Sequence, residues 1–222
     1  MSKNFTTISK LAFSFLAAGL VLGAAILVIG TATAPNVKAC VQPSSCDFLT
    51  GGGWIVYHDH KGTFGVGGGC KHGSGMNGVP YWGHLEYIDH GIGLNVHATE
   101  ITAYIFEDTG VDFDANGHPV GRRIICGTAR TNLPDGDVNF AVRAQDNGEP
   151  GVNDNFDIKL TSQLDGSTLY NTTDECPIGL AGAGHFLGSS CTPGNGGGGN
   201  IQLHKPNPST TGTFGGLCPA HF

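Results

Sequence analysis

Beyond residue 39, apolar and polar residues alternate in short runs, and glycine, asparagine, aspartate or proline separates one run from the next. Alternation with a period of two puts the apolar side chains on one face of a β-strand, whereas a helix repeats them every three to four positions. No helical period of useful length occurs in this part of the chain. The pattern therefore predicts an all-β domain with antiparallel strands.

Nine strands follow from this pattern. They are predicted at 54–58, 63–66, 84–88, 95–106, 123–131, 139–144, 155–160, 167–170 and 200–204. The dipeptides Asp135-Gly136, Asn147-Gly148 and Asp165-Gly166 favour tight turns between them, because these residue types accept positive φ angles. About nine strands at this spacing predict an antiparallel β-sandwich or flattened barrel, which follows an N-terminal hydrophobic export helix.

Residues 1–39 have the layout of an export segment. Two lysines precede a long apolar run at 11–34, and no acidic residue occurs before residue 40. Cleavage after Ala39 is favoured over cleavage after Ala34, because a proline, Pro35, directly follows Ala34. The apolar run also reaches the roughly 20 residues that cross a bilayer. The segment is therefore predicted to be either a signal peptide or an N-terminal membrane anchor.

The rest of the chain is expected to be one extracellular β domain at 40–205, with a glycine-rich loop at 181–199, followed by a tail at 206–222 that contains proline and glycine. All seven cysteines lie beyond the export segment, and none forms a Cys-x-x-Cys motif. Disulfides are the expected state of cysteines in an exported domain. Cys176 and Cys191 bracket a glycine-rich stretch of the chain and are the predicted pair, while the other pairings stay open.

The charge distribution restricts the class of partner. The residues from 40 onward carry all 18 acidic groups of the chain but only eight of its 11 basic ones. Phosphate backbones require clustered lysine and arginine, so the composition excludes nucleic acid as a partner. An acidic surface suits solubility or cation binding.

The stretch 83–97 contains three histidines and two acidic residues. On a strand, His84, Glu86 and His90 share one face, and His97 lies on the strand that returns beside it. Imidazole and carboxylate ligands suit zinc, iron or copper, so a transition-metal site is one hypothesis. The other is a hairpin whose polar side chains face water, which is favoured because the zinc-hydrolase motif His-Glu-x-x-His is absent.

Two loops are rich in oxygen ligands and are candidates for calcium, which needs six to eight such oxygens. The first loop, which begins at Asp112, resembles the opening of an EF-hand loop. It has Arg123 at the position where an EF-hand has a bidentate glutamate, so an EF-hand is excluded. Solvated or structural turns are the favoured alternative for both loops. The candidate ligands are Asp112, Asp114, Asn116, Asp146, Glu149 and Asp154.

Tyr81 and Trp82 are predicted to form an exposed aromatic pair that could stack on a sugar. No nucleophile motif accompanies them. Gly-x-Ser-x-Gly is absent, and the run of four glycines at 196–199 lacks the lysine of a phosphate-binding loop. These absences favour a protein without catalytic activity.

Six short motifs occur in an order that resembles the post-COAP type, a small extracellular β domain of bacterial surface and secreted proteins. They are Gly-Gly-Gly-Trp-Ile (51–55), Gly-His-Leu-Glu-Tyr-Ile-Asp (83–89), Gly-Leu-Asn-Val-His (93–97), Gly-Thr-Ala (127–129), Asp-Asn-Gly-Glu-Pro-Gly-x-Asn-Asp-x-Phe (146–156) and Gly-Gly-Asn-Ile-Gln-Leu-His-Lys (198–205). The resemblance implies an exported β module without an established catalytic role. The seven cysteines, the loop at 108–120 and the insertion at 176–197 depart from it.

Together these observations predict an exported, non-enzymatic module that binds, adheres or supports structure at the cell surface. Its ligand would be an extracellular carbohydrate or protein, and its contact with a membrane would be limited to the N-terminal segment. Two alternatives stay open. One is a secreted metal-dependent enzyme that uses the hairpin at 83–97, and the other is a surface subunit that self-associates into filaments by lending its N-terminal segment to a neighbouring sheet.

Overall fold

A computed structural model describes residues 46–71, 80–107, 109–110, 112–176, 184–194 and 197–222. The predicted export segment at 1–39 and Cys40 lie outside these residues. Within the described parts, no helix has the length and apolar character needed to cross a membrane.

The described chain is all-β and antiparallel, as predicted. Its strands are β1 (Phe48–Tyr57), β2 (His60–Cys70), β3 (Tyr81–Asp89), β4 (Leu94–Glu107), β5 (Gly121–Thr131), β6 (Asp137–Asp146), β7 (Asn155–Ser162), β8 (Thr168–Asn171), β9 (His185–Phe186), β10 (Gly199–His204) and β11 (Gly215–Gly216). All nine predicted strands are confirmed, and the two-residue strands β9 and β11 are additional. A single turn of 3-10 helix follows β8 at Thr172–Asp174.

The strands form one sheet that is not closed into a barrel. Strands β1 to β8 pair with their neighbours in chain order, and β10 extends the sheet on the other side of β1. The short strands β9 and β11 pair with β7 and β4, respectively. Strands β1 to β8 run antiparallel to their neighbours, and β9, β10 and β11 are antiparallel to the strands they pair with.

The sheet curls so that its two halves face each other across one apolar core. The rings of Phe64 on β2 and Phe156 on β7 stack with their centroids 3.7 Å apart. Tyr87, Ile158 and Leu160 are fully buried around them. Alternation explains this arrangement, since every second residue of β7 points into the core. The architecture is therefore sandwich-like.

The C-terminal tail covers the outer face of the central strands. Ala103, Ile124 and Ala141, on β4, β5 and β6, form a second buried cluster with Ala220 of the tail. A disulfide between Cys126 and Cys218 attaches the tail to β5. Strand β5 is consequently buried on both faces, which the period-two pattern of a one-sided strand does not predict.

Six of the seven cysteines form three disulfides. The predicted bond between Cys176 and Cys191 is confirmed. The second and third bonds join Cys46 to Cys70 and Cys126 to Cys218. Three disulfides in one domain are consistent with an extracellular or otherwise oxidising environment.

Candidate functional site

The hairpin at 83–97 brings two of its four candidate metal ligands together. Glu86 on β3 lies directly opposite His97 on β4, and the His97 Nδ1 contacts a Glu86 carboxylate oxygen. Both side chains are more than half exposed. With Arg130 of β5 they line a shallow cleft of about 290 Å³. Exposed cross-strand pairs of this kind contribute little to stability.

The other two histidines lie elsewhere. His84 faces outward on β3, beside Gly67 of β2. His90 lies in the turn after β3, where its Nε2 is 2.9 Å from the hydroxyl of Thr63. Among the residues that the structure describes, these side chains do not converge with Glu86 and His97 on a common point.

The two acidic loops, which are distant in sequence, meet in space. Asp114, Asp146 and Glu149 line one cavity of about 10 Å³ next to β10. The Asp114 carboxylate closes its own turn by accepting the amides of Asn116 and His118, each at 2.8 Å. Asp112 and Asn116 are exposed on the same loop. Calcium binding by these residues stays a prediction.

Asp146 and Asp154 have a clear structural role at the free edge of β10. Asp146 accepts the amide of Leu203 at 2.7 Å, and Asp154 accepts the amide of Ile201 at 2.8 Å. Their other oxygens accept the amides of Gly148 and Asn147. Carboxylates therefore satisfy two donors of an edge strand that would otherwise be available to a further strand.

The carboxyl group of Asp154 is expected to titrate near neutral pH. Its burial raises the pKa to about 6 from an ordinary 3.8, against the amides of Asn147 and Ile201, which lower it. The folded protein then binds more protons than the unfolded chain between pH 4 and 6. The contribution of Asp154 to the free energy of unfolding should fall by on the order of 2–3 kcal/mol as the pH rises through this window, and stay constant above it.

Carbon-13 NMR of the Asp154 side-chain carboxyl measures this directly. A titration midpoint near pH 6 in the folded protein is expected. A midpoint near 4 would show that the hydrogen bonds offset the effect of burial, and stability would then lack this dependence on pH.

Tyr81 and Trp82 do not form an exposed pair, and this prediction was wrong. Tyr81 is only 8% exposed, because alternation along β3 points it into the core. Trp82 is partly exposed on the opposite face, where it packs against Phe48 of β1 with ring centroids 6.1 Å apart. Only one of the two rings is therefore available for stacking on a ligand.

A concave site lies at one end of the sheet, and we call it the end cavity. Its volume is about 290 Å³, and it forms where the β1–β2 turn, the β3–β4 turn and the segment around β8 meet. Tyrosine, histidine, carboxylate, amide and hydroxyl side chains surround it. The lining residues are Tyr57, His58, His60, Asp89, Ile92, Thr168, Leu169, Tyr170, Asn171 and Asp174.

A buried chain of hydrogen bonds fixes the inner wall of the end cavity. The hydroxyl groups of Tyr87 and Tyr170 are 2.7 Å apart, and Tyr170 donates to Asp89 at 2.9 Å. The other Asp89 oxygen accepts the amides of Gly91 and Ile92 and so orders the β3–β4 turn. Burial raises the pKa of Tyr170 well above its ordinary range, so both hydroxyls stay protonated. These partners leave the wall rigid.

The β1–β2 turn holds two histidines at the mouth of the end cavity. His58 and Asp59 both have positive φ angles, 49° and 62°, as a two-residue hairpin turn requires. The amide of His58 donates to Glu175 at 2.7 Å, and its ring stacks on Tyr57 at 4.0 Å. Non-glycine residues at positive φ are strained, and such strain is concentrated at functional sites.

Close to Tyr57, which lines the end cavity, lies a group of cysteine and histidine side chains in which Cys176 and His185 are buried and Cys191 is exposed. Cys176, His185 and Cys191 place their ligand atoms within 4.8 Å of one another, and no other such trio occurs among the described residues. Thiolates, rather than disulfide sulfurs, are the metal ligands that cysteine supplies. Since Cys176 and Cys191 are bonded, the group as folded is a histidine packed on a disulfide.

Comparison of the chain with protein-family models, with curated proteins and with solved structures found no match.

Proposed function

We propose that this protein is an exported, non-enzymatic β module that binds a small hydroxyl-rich ligand, such as a sugar unit of a surface glycan, in the end cavity. The observation that carries the proposal is the meeting of tyrosine rings and varied polar side chains around one cavity of about 290 Å³. This volume is at the small end of the range for ligand pockets. Aromatic rings supply apolar contact, and a few convergent polar groups orient the ligand.

The polar groups divide into fixed and available ones. Asp89 is buried, and both of its oxygens accept hydrogen bonds from the protein. It therefore supports the wall and is poorly placed to serve as a general base. His60 has a side chain that is 40% exposed, and Asp174 and Thr168 are exposed at the rim. Donors and acceptors at a rim can pair with ligand hydroxyl groups, which favours binding over catalysis.

Action outside the cytoplasm is supported by two independent features. The segment at 1–39 has the composition of an export signal or anchor, and three disulfides brace the domain. The resemblance to post-COAP type domains agrees with a surface or secreted module. A rigid, cross-linked sheet with its ligand site at one end suits attachment to an extracellular surface.

Substitutions at the rim should weaken ligand binding while the fold persists. His60→Ala and Asp174→Ala remove exposed side chains, so each should change the free energy of unfolding by less than about 0.5–1 kcal/mol. Each should weaken binding to the best ligand of a printed glycan array by about tenfold, the loss of one good hydrogen bond.

Two matched controls define the site. His97→Ala removes a histidine from the outer face of β4, and Asp135→Ala removes an exposed aspartate from the β5–β6 turn. Both should leave binding unchanged. Equal losses in the rim and control variants, or an array without any binding, would refute the end cavity as a glycan site.

A further inference from the structure

The disulfide between Cys176 and Cys191 is asymmetric in its exposure. Cys176 is only 2% exposed, whereas Cys191 is exposed at the surface. An incoming thiolate can therefore reach the Cys191 sulfur and not the Cys176 sulfur. Attack on Cys191 would make Cys176 the leaving group.

A histidine lies against the sulfur that would leave. The His185 Nε2 is 3.4 Å from the Cys176 Sγ, and His185 is completely buried. A positively charged neighbour stabilises a cysteine thiolate, and a better-stabilised thiolate leaves faster in thiol–disulfide exchange.

A second layer of polar side chains holds this histidine. The His185 Nδ1 is 2.8 Å from Asp157, and Asp157 also accepts the hydroxyl of Thr172 at 3.0 Å. The remaining Asp157 oxygen is buried without a hydrogen-bond partner among the described residues. A buried carboxylate on one ring nitrogen fixes the orientation of the ring and keeps the other nitrogen directed at the Cys176 sulfur.

Glu175 completes the surroundings of the ring. One of its oxygens is 3.6 Å from the His185 Nε2 and also accepts the amide of His58. Burial raises the pKa of Glu175, but the His58 amide, the Ser190 hydroxyl and His185 outweigh it and hold the pKa below its ordinary value. Glu175 therefore lies where it can accept a hydrogen bond from the His185 Nε2 once that nitrogen has taken up a proton.

From this geometry we propose that the bond between Cys176 and Cys191 is a redox-active disulfide that exchanges with small thiols or with dithiols of other exported proteins. A thiol R–SH attacks Cys191, forms an R–S–S–Cys191 bond and breaks the bond to Cys176. The electron pair of the broken bond stays on the Cys176 sulfur, and the thiol proton goes to the His185 Nε2. A second thiol R–SH then attacks the R sulfur and breaks its bond to Cys191. The Cys191 sulfur leaves with the electron pair and takes the proton of the second thiol, so R–S–S–R is released and both cysteines are reduced.

Neither of the other two disulfides combines these features, so both serve as internal references. Cys46, Cys70 and Cys126 are fully buried, whereas Cys218 is partly exposed. Among the residues that the structure describes, no histidine forms a hydrogen bond with their sulfurs. Reduction of the bond between Cys46 and Cys70 requires the sheet to open first, and attack on Cys218 would leave the electron pair on a sulfur that has no histidine beside it.

Reduction of the secreted protein by glutathione tests the proposal. Free thiols are alkylated at successive times, and peptide mass spectrometry then assigns each cysteine. The bond between Cys176 and Cys191 should open at least about tenfold faster than the other two, and the glutathione adduct should form on Cys191. Three bonds that open together, or an adduct on Cys176, would overturn the proposal.

Variants separate the role of the histidine from simple exposure of the bond. His185→Gln should slow the opening of this bond by about tenfold or more, and Asp157→Asn, which acts through the ring, should slow it less. His90→Gln changes an exposed histidine and should have no effect. An unchanged rate in both His185→Gln and Asp157→Asn overturns the role of His185. The adduct position in the wild-type protein decides the proposal even if neither variant folds.

Discussion

Replacement of Arg123 by methionine is expected to lower the free energy of unfolding by about 3–5 kcal/mol, the usual cost of breaking a buried ion pair. The Arg123 guanidinium forms an ion pair with Asp47 in the interior, and its Nε is 3.0 Å from the Asp47 Oδ1. Tyr104 donates to the same carboxylate at 2.9 Å. Methionine preserves much of the volume but leaves the buried carboxylate of Asp47 without its cation.

Chemical denaturation of the variant measures this effect. Arg130→Met is a matched control, because Arg130 lies on the same strand β5 but is exposed. Its free energy of unfolding should change by less than about 0.5 kcal/mol. Similar values for the two variants would mean that Arg123 contributes no more than a surface charge does.

Removal of the disulfide between Cys126 and Cys218 should cost about 4 kcal/mol, since it closes a loop of 92 residues. The double variant Cys126→Ala with Cys218→Ala avoids an unpaired thiol. It should also loosen the tail, because the bond ties Ala220 and Phe222 to the outer face of β4 to β6. Hydrogen exchange at the Leu217 amide, which donates to Thr102 at 3.2 Å, should accelerate.

Removal of the bond between Cys176 and Cys191 is the control for removal of the bond between Cys126 and Cys218. It closes only 15 residues, so its double alanine variant should lose about 3 kcal/mol and leave exchange in the tail unchanged. If both double variants lost equal stability and exchange at Leu217 stayed slow, the tail would be held by packing alone.

The strands were predictable because burial on one face enforces alternation. The residues at which the strands begin and end were harder to predict. Strand β1 begins at Phe48, earlier than predicted, since Gly51, Gly52 and Gly53 carry no side chain that reports a face. They belong to the sheet because β1 pairs with β2 on one side and β10 on the other. Strands β9 and β11 are too short to show any period.

The end cavity could not be predicted from sequence, because its walls come from three segments that are distant along the chain. His58 and His60 are far in sequence from Tyr170 and Asp174, and only the fold places them around one cavity. The error at Tyr81 arose from taking two adjacent aromatic residues as one surface, although neighbours on a strand face opposite ways.

The cysteine pair was predictable and its environment was not. Cys176 and Cys191 are close in sequence, so the disulfide between them closes only a short loop. His185 on β9 contacts the Cys176 sulfur, and Asp157 on β7 contacts His185. The sequence between Asp157 and His185 carries no motif that links the two.

Chemical-shift mapping of the nitrogen-15 labelled protein with a panel of simple sugars tests the proposed binding site most directly. If the end cavity binds a sugar, at least one sugar should shift the backbone amides at 57–60, 89–92 and 168–174 in a saturable way. The amides of Trp82 and His84 on the outer face of β3 should stay in place. Shifts confined to that outer face, or spectra unchanged by every sugar in the panel, would contradict the assignment of the end cavity as the glycan site.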